Sequence, residues 1–384
     1  MQNIAEKLSP TKLLCAYDHI EGLHGKTPLI PFGVVHKDGF EVVVYAKMDT
    51  LNPGGSFKDR GAEYFIKVAV DDGILQPGDK VVTASAGNHA KGVAKAARQH
   101  GLNAIIYMSS QTPKMKIKGT IDLGAQVELV GGDYHAAAVE AQEFSQKNKV
   151  LYVPAYQHED VIMGQSTVAT EAMMQLFSRK IRPDFVVSPF GGGGLSNGIG
   201  YALRYFDGEG MFPVNGQQNK IWNYAVQAEN FDAMARSFRE GKVADHIQRG
   251  ETIADGIRVA KASEEMLRLS ERNIDDIFTV SEEEIREAIR RVYSSDLISA
   301  LQKLHPKTLQ RNYGFSREHI NNTPRMNIVE GAAAAAFACV FSSNKIDYNK
   351  IARQAHPRKI INGVVIASGN NIDQGLLEQI VANK

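Results

Sequence analysis

The chain has 384 residues, 43% of them hydrophobic and 23% charged, which is enough apolar material for a sizeable core and an ordinary globular balance. Its 44 basic and 43 acidic residues leave a net charge of +1, which excludes the basic face of a nucleic-acid binder and implies no acidic tail. Two cysteines, Cys15 and Cys339, make neither a disulfide framework nor a zinc site. With no signal-type N-terminus and no apolar run of about 18 residues, a soluble, cytoplasmic protein is expected, with no membrane partner.

Residues 1–50 read as an N-terminal arm, a turn at Lys26-Thr27-Pro28 and a strand, FEVVVYAK, at 40–47. The next stretch, LNPGGSFKDRG at 51–61, opens with the turn formers Asn52, Pro53, Gly54 and Gly55. Ser56 is a candidate N-cap, and the helix it predicts carries Lys58 in its first turn. From 80 to 158 the pattern is regular. Strands predicted at 80–84, 103–108, 126–130 and 150–154 alternate with helices at 88–100, 113–124 and 134–147. Such alternation calls for a parallel sheet covered by helices, and hence an α/β fold. The block 80–158 is predicted to be a small lobe of its own, set beside a larger one made of 1–79 and 159–384. In the latter, a helix at 164–178 leads to a strand at 184–189, then to Gly191-Gly192-Gly193-Gly194 and a helix from Leu195 or Ser196 through Tyr205. Strands follow at 223–229 and 278–280. Ser281 and Glu284 form a predicted capping box for a helix at 282–294. The run AAAAAFA at 332–338 is a strong helix former, and a strand at 360–369 precedes a short helix at 373–382. Residues 295–327 fit neither period and read as an insertion on this frame.

Four places in this order carry candidate chemistry, each beside an ordinary alternative. A cation in the first turn of a helix is disfavoured by the helix dipole, so the Lys58 amine should lose its proton more easily than a solvated surface lysine would. Gly191–Gly194, between strand and helix, can converge backbone N–H groups on a phosphate, or be a flexible loop. Ser85, Ala86, Gly87, Asn88 and His89 open a helix after a strand. They could hold a carboxylate and a ring hydroxyl, or be an ordinary helix start with a structural histidine. Ser368 ends the last strand, where a buried serine usually bonds backbone. Together they suit a phosphorylated aldehyde cofactor joined to Lys58 as a Schiff base, since lysine makes a reversible imine and is then a base beside the substrate.

The ordered segments SFKDRGA, TASAGNHAKGVA (83–94), GGGGL (191–195), ETIADGIRV (251–259), EGAAAAA (330–336) and IASGN (366–370) resemble the β-family, or fold type II, of pyridoxal-phosphate (PLP) enzymes. They most resemble its serine/threonine dehydratases. The resemblance implies a two-lobed architecture, each lobe a mostly parallel twisted sheet flanked by helices, and a homodimer. It implies that Lys58 bonds the cofactor with Phe57 packed on the ring, Asn88 on the ring hydroxyl and Ser368 facing the pyridine nitrogen. Gly191, Gly192, Gly193, Gly194 and Leu195 would take the phosphate. Ser85 and the backbone at 86–89 would grip the substrate carboxylate. No metal site is assigned. The implied reaction is α,β-elimination of water and ammonia from L-threonine or L-serine to a 2-oxo acid. A serine at the pyridine nitrogen makes the ring a weaker electron sink and favours elimination.

Three departures bear on that reading. Ala86 stands where serine racemases of the family carry a serine, so racemisation is not expected. Asp59 after the lysine resembles the threonine and cysteine synthases, which makes a β- or γ-replacement enzyme the alternative. The chain ends soon after Ser368, so feedback inhibition by isoleucine is not expected.

Overall fold

The computed structural model describes residues 3–24, 26–210, 213–214, 217–218, 220–245, 247–294, 328–342, 345–355 and 360–382. The insertion expected at 295–327 lies outside the described residues. Short helix α1 (Ile4–Lys7) and α2 (Pro10–His24) precede a hairpin of β1 (Leu29–Lys37) and β2 (Phe40–Met48). Asp38 and Gly39 join the two strands with φ of 50° and 83°, the positive values that a two-residue hairpin turn requires. The chain continues through α3 (Lys58–Asp71), β3 (Lys80–Ala84), α4 (Asn88–Gln99), β4 (Asn103–Ser109) and α5 (Lys114–Ile121). Then come β5 (Gln126–Val130), α6 (Tyr134–Asn148), β6 (Leu151–Tyr152) and α7 (Glu159–Ser178). A second series runs β7 (Phe185–Pro189), α8 (Gly194–Gly208), the short pair β8 (Pro213–Val214) and β9 (Gln217–Gln218), and β10 (Trp222–Ala228). It continues with α9 (Ala233–Glu240), α10 (Glu264–Asn273), β11 (Asp276–Val280) and α11 (Glu282–Tyr293). Helices α12 (Gly331–Phe341) and α13 (Tyr348–Ala355), strand β12 (Ile360–Ala367) and helix α14 (Gln374–Ala382) complete the described residues.

The strands form two main sheets. One has the order β1-β2-β12-β7-β10-β11, parallel except at β1, and the other is β5-β4-β3-β6, parallel throughout. Every residue of β7 and β10 is buried, as a strand covered on both faces must be. Phe185 and Val187 face a core shared with α11 and α12, whereas Val186 faces one shared with α7 and α8. That two-sided burial is why these strands show no regular polar face. Ala332 to Ala336 lie inside the first core, and side chains this small let α12 approach the sheet closely.

The expected strands at 80–84, 103–108 and 126–130 lie within one residue of β3, β4 and β5, and the capping box at Ser281 and Glu284 is formed. Corrections fall where caps or irregular backbone decide. The N-terminal arm is the helix α2. Strand β1 was not expected, because Pro31 and Gly33 flank a register shift that breaks its alternation. Helix α7 starts five positions ahead of the expected 164, since the His158 side chain accepts the Asp160 N–H and caps it. Ser56 is not the N-cap of α3. That position belongs to Phe57, while Ser56 bridges Gly369 and its hydroxyl accepts the Lys58 N–H at 3.3 Å.

Candidate active site

Lys58 is the first residue of α3, and three strand ends converge on it. The Phe57 N–H donates to the Ser368 carbonyl at 2.9 Å, and the Asn370 N–H to the Gly55 carbonyl at 3.1 Å. The chain just past β12 thus grips the turn just ahead of α3. Helix α4 crosses α3 so closely that a Cβ at Gly92 would lie 2.9 Å from the Lys58 carbonyl oxygen. The start of α3 is further fixed by a buried charge cluster two residues on. Arg60 donates to Asp49 at 2.7 and 3.0 Å and to Glu171 at 2.6 and 3.0 Å, and Lys47 donates to Glu171 at 2.7 Å. Two cations meet two anions, all four fully buried. Burial alone would raise the Glu171 carboxyl, but Arg60 and Lys47 hold it down at about 2.

The Lys58 amine donates to the Ala155 carbonyl at 2.7 Å and lies 5.1 Å from the centre of the Phe57 ring. Burial lowers its pKa to about 8, against the opposing pull of Glu330. The expected direction is found, with desolvation rather than the helix dipole as its chief cause. The free amine is therefore far more populated near neutral pH than on an ordinary lysine.

Contacts run from Lys58 right round the site. Past Ala155, the Tyr156 ring covers the four-glycine turn closely enough to block a Cβ at Gly192. A Cβ at Gly191 would meet the Gly256 carbonyl at 3.0 Å, and Gly193 has a φ of 90°. The turn runs from the end of β7 into α8, whose first residues are Gly194 and Leu195. On the other side, Ser368 is fully buried and its hydroxyl has no hydrogen-bond partner among the described residues. Asn88, at the start of α4, donates to both Glu330 oxygens at 2.9 and 2.8 Å, while its own Oδ1 is buried with no partner among the described residues. The ends of β3, β7 and β12 and the starts of α3, α4 and α8 therefore meet at one place, where open α/β sheets bind ligands and helix starts favour anions.

Residues 85–89 are split. Ser85, Ala86 and Gly87 form the partly exposed turn between β3 and α4, with the Ser85 hydroxyl accepting the Gly87 N–H at 3.2 Å. The His89 ring turns away to Thr83 and the Val153 carbonyl, both at 3.1 Å. Burial, with help from the Lys58 charge, depresses it to about 3, so the ring is neutral. Asp59 also has a structural occupation: it accepts the Gly54 N–H at 2.6 Å and a bond from Lys95 at 3.2 Å, bracing the turn ahead of Lys58.

Glu330 is the residue that sequence reasoning missed. Besides holding Asn88, it accepts the Asn371 N–H at 3.1 Å. Burial, reinforced by Asp255, raises it to about 7. Its signal was the polar start of an otherwise apolar helix, EGAAAAA, where an acid at a helix N-cap has no other reason to be buried. Since the folded pKa lies above the ordinary 4.5, the stability it confers is complete below about 4.5 and is lost as pH rises through about 7. In cofactor-free protein, wild type should lose up to about 3 kcal/mol relative to Glu330→Gln between pH 4.5 and 8, read by urea unfolding.

A helix-start lysine of lowered pKa among glycine-lined strand ends defines an α/β enzyme that could carry an anionic carbonyl cofactor. The pyridoxal-phosphate dependent enzyme family model matches residues 20–300, and the chain belongs to that family. It is 31% identical over 339 residues to the L-threonine ammonia-lyase of Thermotoga maritima, covering 88% of this chain and 69% of that one. It is 30% identical to the catabolic L-threonine dehydratase TdcB of Escherichia coli strain K12, covering 88% and 85%. Among solved structures, the processed form of threonine deaminase isoform 2 from Solanum lycopersicum matches with a TM-score of 0.69 at 27% identity, covering 97% and 86%. Maize serine racemase matches with a TM-score of 0.71 at 23% identity, covering 96% and 95%, a likeness of fold. The two-sheet α/β architecture is that of the fold type II PLP enzymes.

Proposed function

We propose that this chain is a PLP-dependent lyase that removes water and then ammonia from L-threonine or L-serine, leaving a 2-oxo acid. The carrying observation is the buried Lys58 amine, lowered to about 8, at the centre of the ring of contacts just described. Relatives named for threonine ammonia-lyase and dehydratase activity support the reaction class. The residues fit the cofactor: the hydroxyl of Ser368 and Oδ1 of Asn88 are buried atoms with no partner among the described residues, and the four-glycine turn leads into α8 with backbone alone. When bound, PLP supplies an aldehyde for Lys58 and a ring that acidifies the substrate Cα–H.

In this reading the N–H groups of Gly191 to Leu195 would take the phosphate at the start of α8. Phe57 would cover the ring, Asn88 would meet its hydroxyl and Ser368 its nitrogen. Ser85 and the backbone of Ala86, Gly87, Asn88 and His89 hold the substrate carboxylate at the start of α4. The Lys58 amine, free beside the substrate, would take the Cα proton at Nζ. The neutral Ser368 hydroxyl would not hold a proton on the pyridine nitrogen, so the bound ring would be a weaker electron sink. The sheet of β3–β6, within 80–158, is the small substrate-gripping domain, and the six-stranded sheet of 1–79 and 159–384 the large cofactor-binding one. The protein works as a cytoplasmic homodimer, a setting that suits free Cys15 and Cys339; sedimentation at twice 42.1 kDa checks the assembly.

Incubation with PLP and L-threonine alone separates elimination from replacement. Stoichiometric 2-oxobutyrate and ammonia are expected, whereas little oxo acid until a second nucleophile is added would sink the reading. Gly192→Ala should weaken PLP binding by about 1–3 kcal/mol, through the clash with Tyr156, in a spectroscopic titration of the cofactor-free protein.

A further inference from the structure

Three side chains from three helices meet at a place the lyase reading does not use. Glu63 on α3 is buried, with 1% of its side chain exposed, and His19 on α2 and His100 just past α4 flank it at 19% each. Both imidazoles direct Nε2 at one carboxylate oxygen, Glu63 Oε1, at 3.0 and 2.6 Å, while Oε2 is buried with no partner among the described residues. The three ligand atoms lie within 4.8 Å of one another. We propose that His19, Glu63 and His100 form a binding site for one divalent transition-metal ion of the zinc, cobalt or nickel class.

Two imidazole nitrogens and a carboxylate suit these borderline ions better than magnesium or calcium, which prefer oxygen. Tetrahedral zinc with bonds near 2.0–2.1 Å spaces its ligand atoms about 3.3 Å apart. The two Nε2–Oε1 contacts, at 3.0 and 2.6 Å, reach that spacing by lengthening less than about 1 Å, with Oε2 able to join and water to complete the shell from the exposed side. The nearest charges beside His100, Lys67 and Asp71, pair with each other. The other such cluster, His158-Glu159-Asp160, is spent: Lys7 donates to Glu159 at 2.9 Å, Lys12 to Asp160 at 2.7 Å, and His158 Nδ1 caps α7. An ion at the proposed site would tie α2 and α4 to the helix that begins with Lys58.

The test is calorimetric titration of chelator-treated, PLP-loaded full-length protein with zinc chloride, with the melting temperature read in parallel. One equivalent per chain, and a higher melting temperature with zinc, are expected. Loss of even an outer hydrogen-bond partner of a ligand costs about 10–100-fold in affinity, so His19→Gln and His100→Gln should each weaken binding by at least about 100-fold. Circular dichroism and PLP absorbance show that these variants fold. His158→Gln and Cys15→Ser should bind as wild type does. Absence of a one-to-one isotherm, its survival in His100→Gln, or its loss in Cys15→Ser would overturn the proposal.

Discussion

Lys58→Ala is expected to lower 2-oxo-acid release from L-threonine by at least about 10³-fold, within the range for a general base and losing the covalent anchor as well. The amine is the one group the proposed chemistry uses twice, first to hold the cofactor and then to take the proton. Its neighbours cannot replace it: His89 is neutral and turned to Thr83, and Glu330 is engaged with Asn88 and Asn371. Borohydride treatment of PLP-loaded protein, followed by digestion and mass spectrometry, should place the pyridoxyl label on Lys58 in wild type and nowhere in the variant. Activity within tenfold of wild type, or a label on another lysine, would refute the assignment. Unchanged melting of the cofactor-free variant would show that the loss is chemical.

Arg60→Leu is expected to cost about 3–5 kcal/mol of stability, because it leaves Asp49 and Glu171 with buried charge that Lys47 alone cannot balance. The measurement is the urea midpoint of cofactor-free protein. An exposed pair is the contrast. Lys116 and Asp255 meet at 2.9 Å, with 27% and 48% of their side chains accessible, and Lys116→Ala should cost under about 1 kcal/mol. Equal effects of the two substitutions would mean that burial does not set the value of these charges. Arg60 follows Lys58 by two residues, so the variant should also weaken PLP binding under conditions where it remains folded.

Strand–helix alternation from 80 onward was legible because those elements are short and punctuated by glycine, and the parallel sheets follow from it. Strand β1 was hidden because Pro31 and Gly33 interrupt its period, although the Asp38-Gly39 dipeptide after it was a hairpin signal within reach. At the site, Lys58 and the glycine turn could be read because their chemistry is local. Glu330 could be noticed as the polar start of an apolar helix, but its role could not be read, since it depends on Asn88, 242 residues away in sequence. The same distance problem applies to Asp59, whose likeness to replacement enzymes raised a chemical alternative. Its carboxylate holds Gly54 and Lys95, a contact that residue order alone does not disclose.

The crossing at Gly92 bears on substrate selection. Backbone presses on backbone there, so the span between the start of α3 and the turn at 85–87 is set by two rigid rods in direct contact. A gauge of that kind does not stretch. Amino acids bearing their amine one carbon further from the carboxylate should be refused whatever their side chain, while branching beyond Cβ meets no such fixed stop.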